Sequence, residues 1–238
     1  MKALPVLFLA LLLTSISGLP RYDGTYSGLA HAACSDPAGP GVDWSECRKR
    51  NLIISGQDFS GANLSRVDFS SSDLREVNLE NADVSKANLF RASLKGARGI
   101  NANLSNTVAA RTDLSGADFT GADFSKAETT RVDFSNTSLD QADLSKGEFP
   151  RAVFTGADVS GVIFNNSNLA RADFRGVRFG SSPSFTDAYL YQTRFEGVDL
   201  SAVSDLAQWQ IDLSCGDETT VLPDNVAVPA SWPCPEEE

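Results

Sequence analysis

The stretch Ala117-Asp118-Phe119-Thr120-Gly121-Ala122-Asp123-Phe124-Ser125-Lys126 contains the same five-residue unit twice. Each unit has a small residue, an acidic residue, a large apolar residue and two residues of the kind found in turns. Written as A-(D/N)-(L/F)-x-x, the unit recurs at every fifth position from Ile54 to Phe179, with weak centres at Gly99, Ala109 and Thr129. After a single step of six residues through 180–184, four more centres follow at Phe185, Leu190, Phe195 and Leu200.

A period of five matches neither an α-helix nor the two-residue alternation of a flat strand. It matches a chain that turns one corner per unit. The small and the large residue then point inward on either side of one outward residue, and the last two residues form the corner. Four sides close a coil of about 20 residues, and successive coils stack about 4.8 Å apart. About thirty sides in the sequence predict about 7.5 coils and a rod about 36 Å long. The step of six residues predicts a bulge at one corner, where Pro183 interrupts the hydrogen-bonded ladder.

These units resemble the pentapeptide-repeat family, and the resemblance covers residues 52–202. It implies an all-β fold, a right-handed quadrilateral parallel β-helix with the large residues packed in a column along its axis. It implies little about function, since the family as a whole has no common substrate. Some acidic members mimic duplex DNA and occupy the DNA site of gyrase, which makes such mimicry the alternative function for this chain.

Residues outside the repeats predict a leader and two caps. Lys2, the apolar run 4–13 and the small residues around Ser17 and Gly18 are typical of a secretory signal peptide. Caps are expected because a terminal coil exposes an unpaired edge and an open core. We expect a short helix within 203–213, with Leu206, Trp209 and Leu213 on one face. The predicted division is a signal peptide at 1–18, a flexible tail and N-terminal cap at 19–50, the coil at 51–202 and a C-terminal cap at 203–238.

Four cysteines flank the repeats, Cys34 and Cys47 before them and Cys215 and Cys234 after them. Four cysteines allow three pairings. If the repeats form a rod, its ends lie far apart, and the local pairs Cys34–Cys47 and Cys215–Cys234 are the easiest to form. Each such loop would stabilise one cap by about 3 kcal/mol on the chain-entropy account. Together with the leader, the cysteines predict an exported protein, periplasmic or extracellular.

The sequence does not predict an enzyme. The only histidine, His31, precedes the coil, and the coil itself contains neither histidine nor cysteine. Catalytic schemes that need those residues are therefore not available within the repeats. No CxxC motif is present, so neither zinc nor any other cofactor is expected. Rows of aspartates such as Asp83, Asp123 and Asp143 are interpreted as outward residues that face water.

Charge is distributed unevenly along this acidic chain, which has 31 acidic and 20 basic residues and a net charge of −11. That balance argues against nonspecific binding to nucleic acid or to anionic membranes. When the sequence is written 20 residues to a line, one corner position is nevertheless arginine in five successive coils, at Arg91, Arg111, Arg131, Arg151 and Arg171. The neighbouring corner contains a second set, Arg66, Lys86, Lys126 and Lys146.

Two interpretations of these rows remain open. The guanidinium groups can hold an anionic partner, or Asp113, Asp133 and Asp173 can neutralise them from two residues further along the chain. We expect an exported, non-enzymatic structural or protein-interaction module that presents a rigid rod to a protein partner. No membrane span is expected, nucleic acid is not the favoured partner, and end-to-end pairing of two copies is a further expectation.

Overall fold

The computed structural model of the protein describes residues 34–234. The predicted signal peptide at 1–18, most of the predicted tail and His31 lie outside the described residues. From Asp43 to Arg178 each side of the coil bridges the side 20 residues further along, in parallel orientation, as in the pair Asp43 and Asn63. The five-residue unit is therefore one side, and four sides make one coil, as the sequence predicted.

We number the four sides in chain order by their inward centres. Side I has the centres Leu64, Val84, Leu104, Phe124, Leu144 and Phe164. Side II has the centres Phe69, Leu89, Ala109, Thr129, Phe149 and Leu169. Side III has the centres Leu74, Leu94, Leu114, Phe134, Phe154 and Phe174. Side IV has the centres Leu79, Gly99, Phe119, Leu139, Val159 and Phe179.

Backbone hydrogen bonds explain the regular geometry of each side. The N–H of Leu64 donates to the carbonyl of Asp83 (2.7 Å), and the N–H of Asp83 donates to the carbonyl of Ala62 (2.9 Å). The chain then turns through Arg66, and the N–H of Val67 donates back to the carbonyl of Leu64 (3.1 Å). Each side contributes a single bridging residue between two turns, so residues 34–234 contain no continuous strand.

The core is a column of buried aliphatic and aromatic side chains. The rings of Phe134, Phe154 and Phe174 on side III stack from coil to coil, with centroids 5.1 Å and 4.6 Å apart. The weak centre Gly99 leaves space that the ring of Phe119 fills from the next coil. A Cβ atom on Gly99 would lie 2.2 Å from Cε1 of Phe119. Small centres are therefore compensated by larger neighbours, which preserves close packing.

The register changes at the predicted corner. Ile163 bridges Ser184 and Asp173 bridges Arg194, so the repeat has grown from 20 to 21 residues. Pro183, which has no N–H to donate, is buried at this corner. Phe185 and Phe195 remain fully buried beyond the extra residue, but Val177 and Phe179, the inward residues of side IV just before it, are only partly buried.

The coil begins before residue 51, because the bridged ladder already includes Asp43 and Arg48. Trp44 stands at a side I centre and packs 5.3 Å from the ring of Phe59. Its indole donates to the carbonyl of Asp36 (3.1 Å), and the ammonium of Lys49 lies over its ring and donates to the carbonyl of Cys34 (2.7 Å). The predicted Cys34–Cys47 disulfide is confirmed and closes the N-terminal cap.

The C-terminal cap continues the ladder as far as Val221 and contains helix α1, Gln208–Leu213. The helix is shorter than predicted, and the predicted apolar face was wrong at Trp209, which is 46% exposed. Gln210 is buried instead, and its amide donates to the carbonyls of Phe185 and Ala188 (2.8 Å and 3.0 Å). The predicted Cys215–Cys234 disulfide is confirmed. Helix α1, with six residues, is too short to cross a bilayer, and no other helix is present in the described range.

Candidate interaction surface

Each corner of the coil requires a residue with left-handed backbone geometry, which glycine and asparagine adopt most easily. Two of the four corners follow this preference. The corner after side III is mostly glycine, at Gly56, Gly96, Gly116, Gly156 and Gly176. The corner after side IV has mainly glycine and asparagine, at Gly61, Asn81, Asn101, Gly121 and Gly161.

The other two corners contain the basic residues that the sequence had singled out. The arginine row, after side II, consists of Arg91, Arg111, Arg131, Arg151 and Arg171. The lysine row, between sides I and II, consists of Arg66, Lys86, Lys126 and Lys146. All nine have φ angles between 56° and 59°, a conformation that costs an ordinary side chain about 1 kcal/mol or more. Basic residues thus occupy strained positions along both edges of side II.

The predicted neutralisation of the arginine row by aspartates is not formed at the central coils. Oδ1 of Asp113 accepts from the N–H of Ser115 (2.9 Å), and Oδ1 of Asp133 accepts from the N–H of Ser135 (2.8 Å). Asp173 pairs with Arg175 through two hydrogen bonds. Among the described residues, no carboxylate lies within 4.0 Å of Arg111, Arg131 or Arg151, and all three are exposed.

Two members of the basic rows make polar contacts with acidic or amide side chains. The guanidinium of Arg66 pairs with Glu46 across 2.8 Å on the exposed surface. Nε of Arg171 donates to Oε1 of Gln192 (2.8 Å). The basic surface that faces solvent without a local carboxylate therefore lies over the middle coils.

The outward surface of side II is the most apolar of the four sides. Seven large hydrophobic residues are exposed between 53 and 191, and three of them, Ile53, Val153 and Ile163, lie on other sides. Side II carries the other four: Phe90, Val108, Tyr189 and Tyr191. The two tyrosine rings stack with centroids 6.2 Å apart, and the guanidinium of Arg91 lies 5.1 Å from the ring of Phe90. The strip between the two basic rows thus has apolar side chains toward both ends, with Glu128 and Glu148 in the outward position between them.

The aspartates and asparagines in the outward position do more than face water, contrary to the prediction. Each typically accepts a hydrogen bond from the backbone N–H two residues later, as Asp123 does from Ser125 and Asp143 from Ser145 (both 2.8 Å). This contact lowers the pKa of Asp58, because the N–H and the hydroxyl of Ser60 stabilise its charged form. These residues therefore build the corners, in the manner of Asx turns.

Side II gives up this corner support in three consecutive coils. Its outward position contains Asp68 and Asn88 in the earlier coils, but Val108, Glu128 and Glu148 in the next three. Position 150, which would donate the corner hydrogen bond to residue 148, is a proline. On the other three sides, between residues 58 and 179, an outward position without aspartate or asparagine is never followed by another in the next coil. The same coils contain the small centres Ala109 and Thr129. Sequence reasoning found the weak centres Ala109 and Thr129 on the side of the arginine row but missed the loss of the outward aspartates and asparagines, although the outward positions arranged in rows of 20 contain that signal.

The described part of the chain contains no group of three or more histidine, cysteine, aspartate or glutamate side chains that could hold a metal ion. Side II combines exposed guanidinium and ammonium groups at its edges with apolar side chains and the carboxylates of Glu128 and Glu148 between them. Guanidinium groups donate paired hydrogen bonds to carboxylates, and apolar side chains gain by leaving water.

Comparison with known proteins places the coil in a family. The family described as pentapeptide repeats (8 copies) matches residues 55–89 and 87–126, and the pentapeptide repeat region family matches 127–204. Full-length QnrB1, a plasmid-mediated fluoroquinolone resistance protein, is 15% identical, with 76% of this chain and 91% of that chain covered and a TM-score of 0.49. HetL, from the cyanobacterium Nostoc sp. strain PCC 7120, is 21% identical, with 80% and 91% covered and a TM-score of 0.32.

A pentapeptide repeat protein from the Arabidopsis thaliana thylakoid lumen is 32% identical over 48% of this chain and 69% of that chain, with a TM-score of 0.21. No curated protein matches the chain in sequence. The two family matches together run from residue 55 to residue 204, which is more than half of the chain. The predicted right-handed quadrilateral β-helix is thereby confirmed, and the chain belongs to the pentapeptide repeat family.

Proposed function

We propose that the protein is an exported, non-enzymatic interaction module that binds an acidic surface of a protein partner through side II. The observation that supports this most strongly is the coincidence of two basic rows and four exposed large apolar side chains on one side of the coil. Rigid solenoids present such patterned surfaces without rearrangement, because each coil is fixed by its neighbours.

Both disulfides support export. Cys34–Cys47 and Cys215–Cys234 account for all four cysteines, and disulfides persist mainly in oxidising compartments. The predicted signal peptide at 1–18 agrees with this location. The proposed compartment is the periplasm or the extracellular space.

Side II contains features that lower the stability of the coil, and this supports a functional role for it. The basic residues at two corners have left-handed backbone geometry, and three coils lack the corner hydrogen bond on side II. Both features lower the stability of the fold. Proteins tolerate such local departures where a site requires them. The exposed guanidinium groups of Arg111, Arg131 and Arg151 can bind carboxylates, which would place acidic groups of the partner along the arginine row.

Mimicry of duplex DNA is the second candidate, and the net charge of −11 favours it. Against it stand the nine cations on side II, which interrupt a continuous negative surface. Cell fractionation separates the two candidates. Protein recovered in the exported fraction with both disulfides intact supports the interaction module, whereas cytosolic protein with reduced cysteines supports the mimic.

The test of side II is affinity capture from the exported fraction with three baits. The first bait is the wild-type protein. The second contains Arg111→Asn, Arg131→Asn and Arg151→Asn, because asparagine tolerates the corner geometry. The matched control removes the same charge from sides III and IV, with Lys95→Ser, Arg98→Ser and Arg178→Ser. A partner retained by the control and lost by the second bait is expected, and equal capture by all three baits contradicts the proposal.

End-to-end pairing belongs to the same proposal, since Trp209, Val221 and Val228 are exposed on the C-terminal cap. Sedimentation of the purified protein at rising concentration, with Val228→Asp as the comparison, measures it. A monomer at all concentrations would remove this part of the proposal and leave side II unaffected.

A further inference from the structure

We infer that the partner binds side II with an amphipathic acidic α-helix that lies along the coil axis. This inference rests on the proposed function and names the element that side II recognises. Three properties of side II support it: the spacing of its cations along the axis, the distance between its two basic rows, and the chemistry of the strip between them.

The axial spacing favours a helix over an extended chain. Neighbouring members of the arginine row are one coil apart, about 4.8 Å. Acidic side chains on one face of a helix recur every turn, about 5.4 Å, whereas those on one face of a strand recur every about 6.8 Å. Over the three steps from Arg91 to Arg151 the mismatch reaches about 2 Å for a helix and about 6 Å for a strand. Flexible arginine side chains can absorb the first mismatch but not the second.

The width of side II also favours a helix as the bound element. The two basic rows lie at its opposite corners, separated by one side of the coil. Three extended residues span about 10 Å, and a helix with its side chains is about 10–12 Å in diameter. One helix therefore covers the strip and reaches a basic row on each edge, whereas a wider structure would contact the edges alone.

The chemistry between the rows fixes the orientation of the helix about its axis. Val108 and Phe90 offer apolar contacts for an apolar stripe. Glu128 and Glu148 continue the outward row that begins with Val108, each two residues after a lysine of the lysine row, and Glu148 accepts a hydrogen bond from the side-chain amide of Asn168 (2.7 Å). These two carboxylates would repel acidic groups beside them. The acidic stripe of the helix therefore faces the arginine row.

The probes that test this are three peptides of about 20 residues, each about 30 Å long when helical. The first has glutamates one turn apart along one stripe and leucines along the adjacent stripe. The second has the same composition with the glutamates distributed around the helix. The third is the first peptide with two central residues replaced by proline, which breaks the helix. Fluorescence anisotropy gives the Kd of each for the full-length protein.

We expect the first peptide to bind at least about tenfold more tightly than the second and the third. The variant with Arg111→Asn, Arg131→Asn and Arg151→Asn should lose that preference, and the control with Lys95→Ser, Arg98→Ser and Arg178→Ser should retain it. Equal binding of all three peptides, or equally tight binding of a single-stranded oligonucleotide, would overturn the inference.

A photocrosslinking amino acid locates the bound peptide. Placed at Val108 on side II it should crosslink to the first peptide, and placed at Asp118 on side IV it should not. Crosslinking from position 118 alone would also overturn the inference. If affinity capture depends on the arginine row while the peptides are not discriminated, the helix is wrong and the proposed function stands. If capture is independent of the arginine row, the proposed function itself fails.

Discussion

Oδ2 of Asp205 accepts a hydrogen bond of 3.0 Å from the backbone N–H of Phe185, the first centre after the change of register. The same oxygen accepts from the N–H of Thr186 (3.0 Å) and from the hydroxyls of Ser184 (2.6 Å) and Thr186 (2.8 Å). One carboxylate therefore ties the C-terminal cap to the corner that contains the extra residue. Burial by itself would raise the pKa of Asp205, but these four hydrogen bonds outweigh it and lower the pKa.

Replacing this carboxylate is expected to destabilise the C-terminal end of the coil. Asp205→Ala leaves the N–H groups of Phe185 and Thr186 without their acceptor, which costs about 2–3 kcal/mol. Urea unfolding measures the loss. Asp224→Ala, at an exposed position of the same cap, is the control and should unfold like the wild type. An unchanged midpoint for Asp205→Ala would show that water replaces the carboxylate at no cost.

Acid is expected to destabilise the protein through the same group. The folded-state pKa of Asp205 lies below its ordinary value of 3.8. The stabilisation is therefore complete above that ordinary value and is lost as the pH falls through the folded-state pKa. Asp199 and Asp217 act in the same direction, since hydrogen bonds from Ser201 and Thr219 lower their pKa values. Unfolding midpoints measured from pH 7 downward should fall in the acid range, less steeply for Asp205→Asn than for the wild type. Parallel curves for the two proteins would contradict the assignment.

The parts of the fold that repeat could be read from the sequence, and the parts that occur once could not. Any inward position that recurs every five residues is visible, so the coil was predictable, and so was the one interruption of that recurrence. The local disulfides followed because the coil holds its two ends apart. The first coil was missed because Lys49 stands where a large apolar centre is expected, and it covers Trp44 through a cation–π contact. Gln210 was missed because an amide facing the core has no counterpart in the repeats.

The candidate site was only partly readable for a related reason. Sequence alone placed the cations in rows, because corner residues also recur. It left open whether Asp113 and Asp133 neutralise them, since the competing backbone donors of Ser115 and Ser135 depend on how the corner turns. Spacing along the chain shows which residues are neighbours and does not show which hydrogen bond an aspartate makes.

A substitution toward the family pattern is expected to destabilise the coil at Gly99. The repeat unit calls for a large residue there, but even a Cβ atom would lie 2.2 Å from the ring of Phe119. Gly99→Ala should cost about 1–3 kcal/mol through overpacking. Combining it with Phe119→Leu should cost less than the sum of the two single changes, because leucine vacates part of that space. Strict additivity in a double-mutant cycle, measured by urea unfolding, would show that the ring does not limit this position.

Neutralising the arginine row is expected to stabilise the protein while removing its binding. Asparagine adopts the left-handed geometry of Arg111, Arg131 and Arg151 more readily than arginine does, by about 0.5 kcal/mol at each position. The triple Asn variant should therefore unfold at a temperature higher by about 3 °C or more. Lys95→Asn, at a position outside the left-handed set, is the control for loss of charge and should show no gain. A triple variant that is less stable than the wild type would mean that the arginines support the coil through contacts with their neighbours. The arginine row would then be explained by its contribution to stability, and side II would not lose stability in favour of binding.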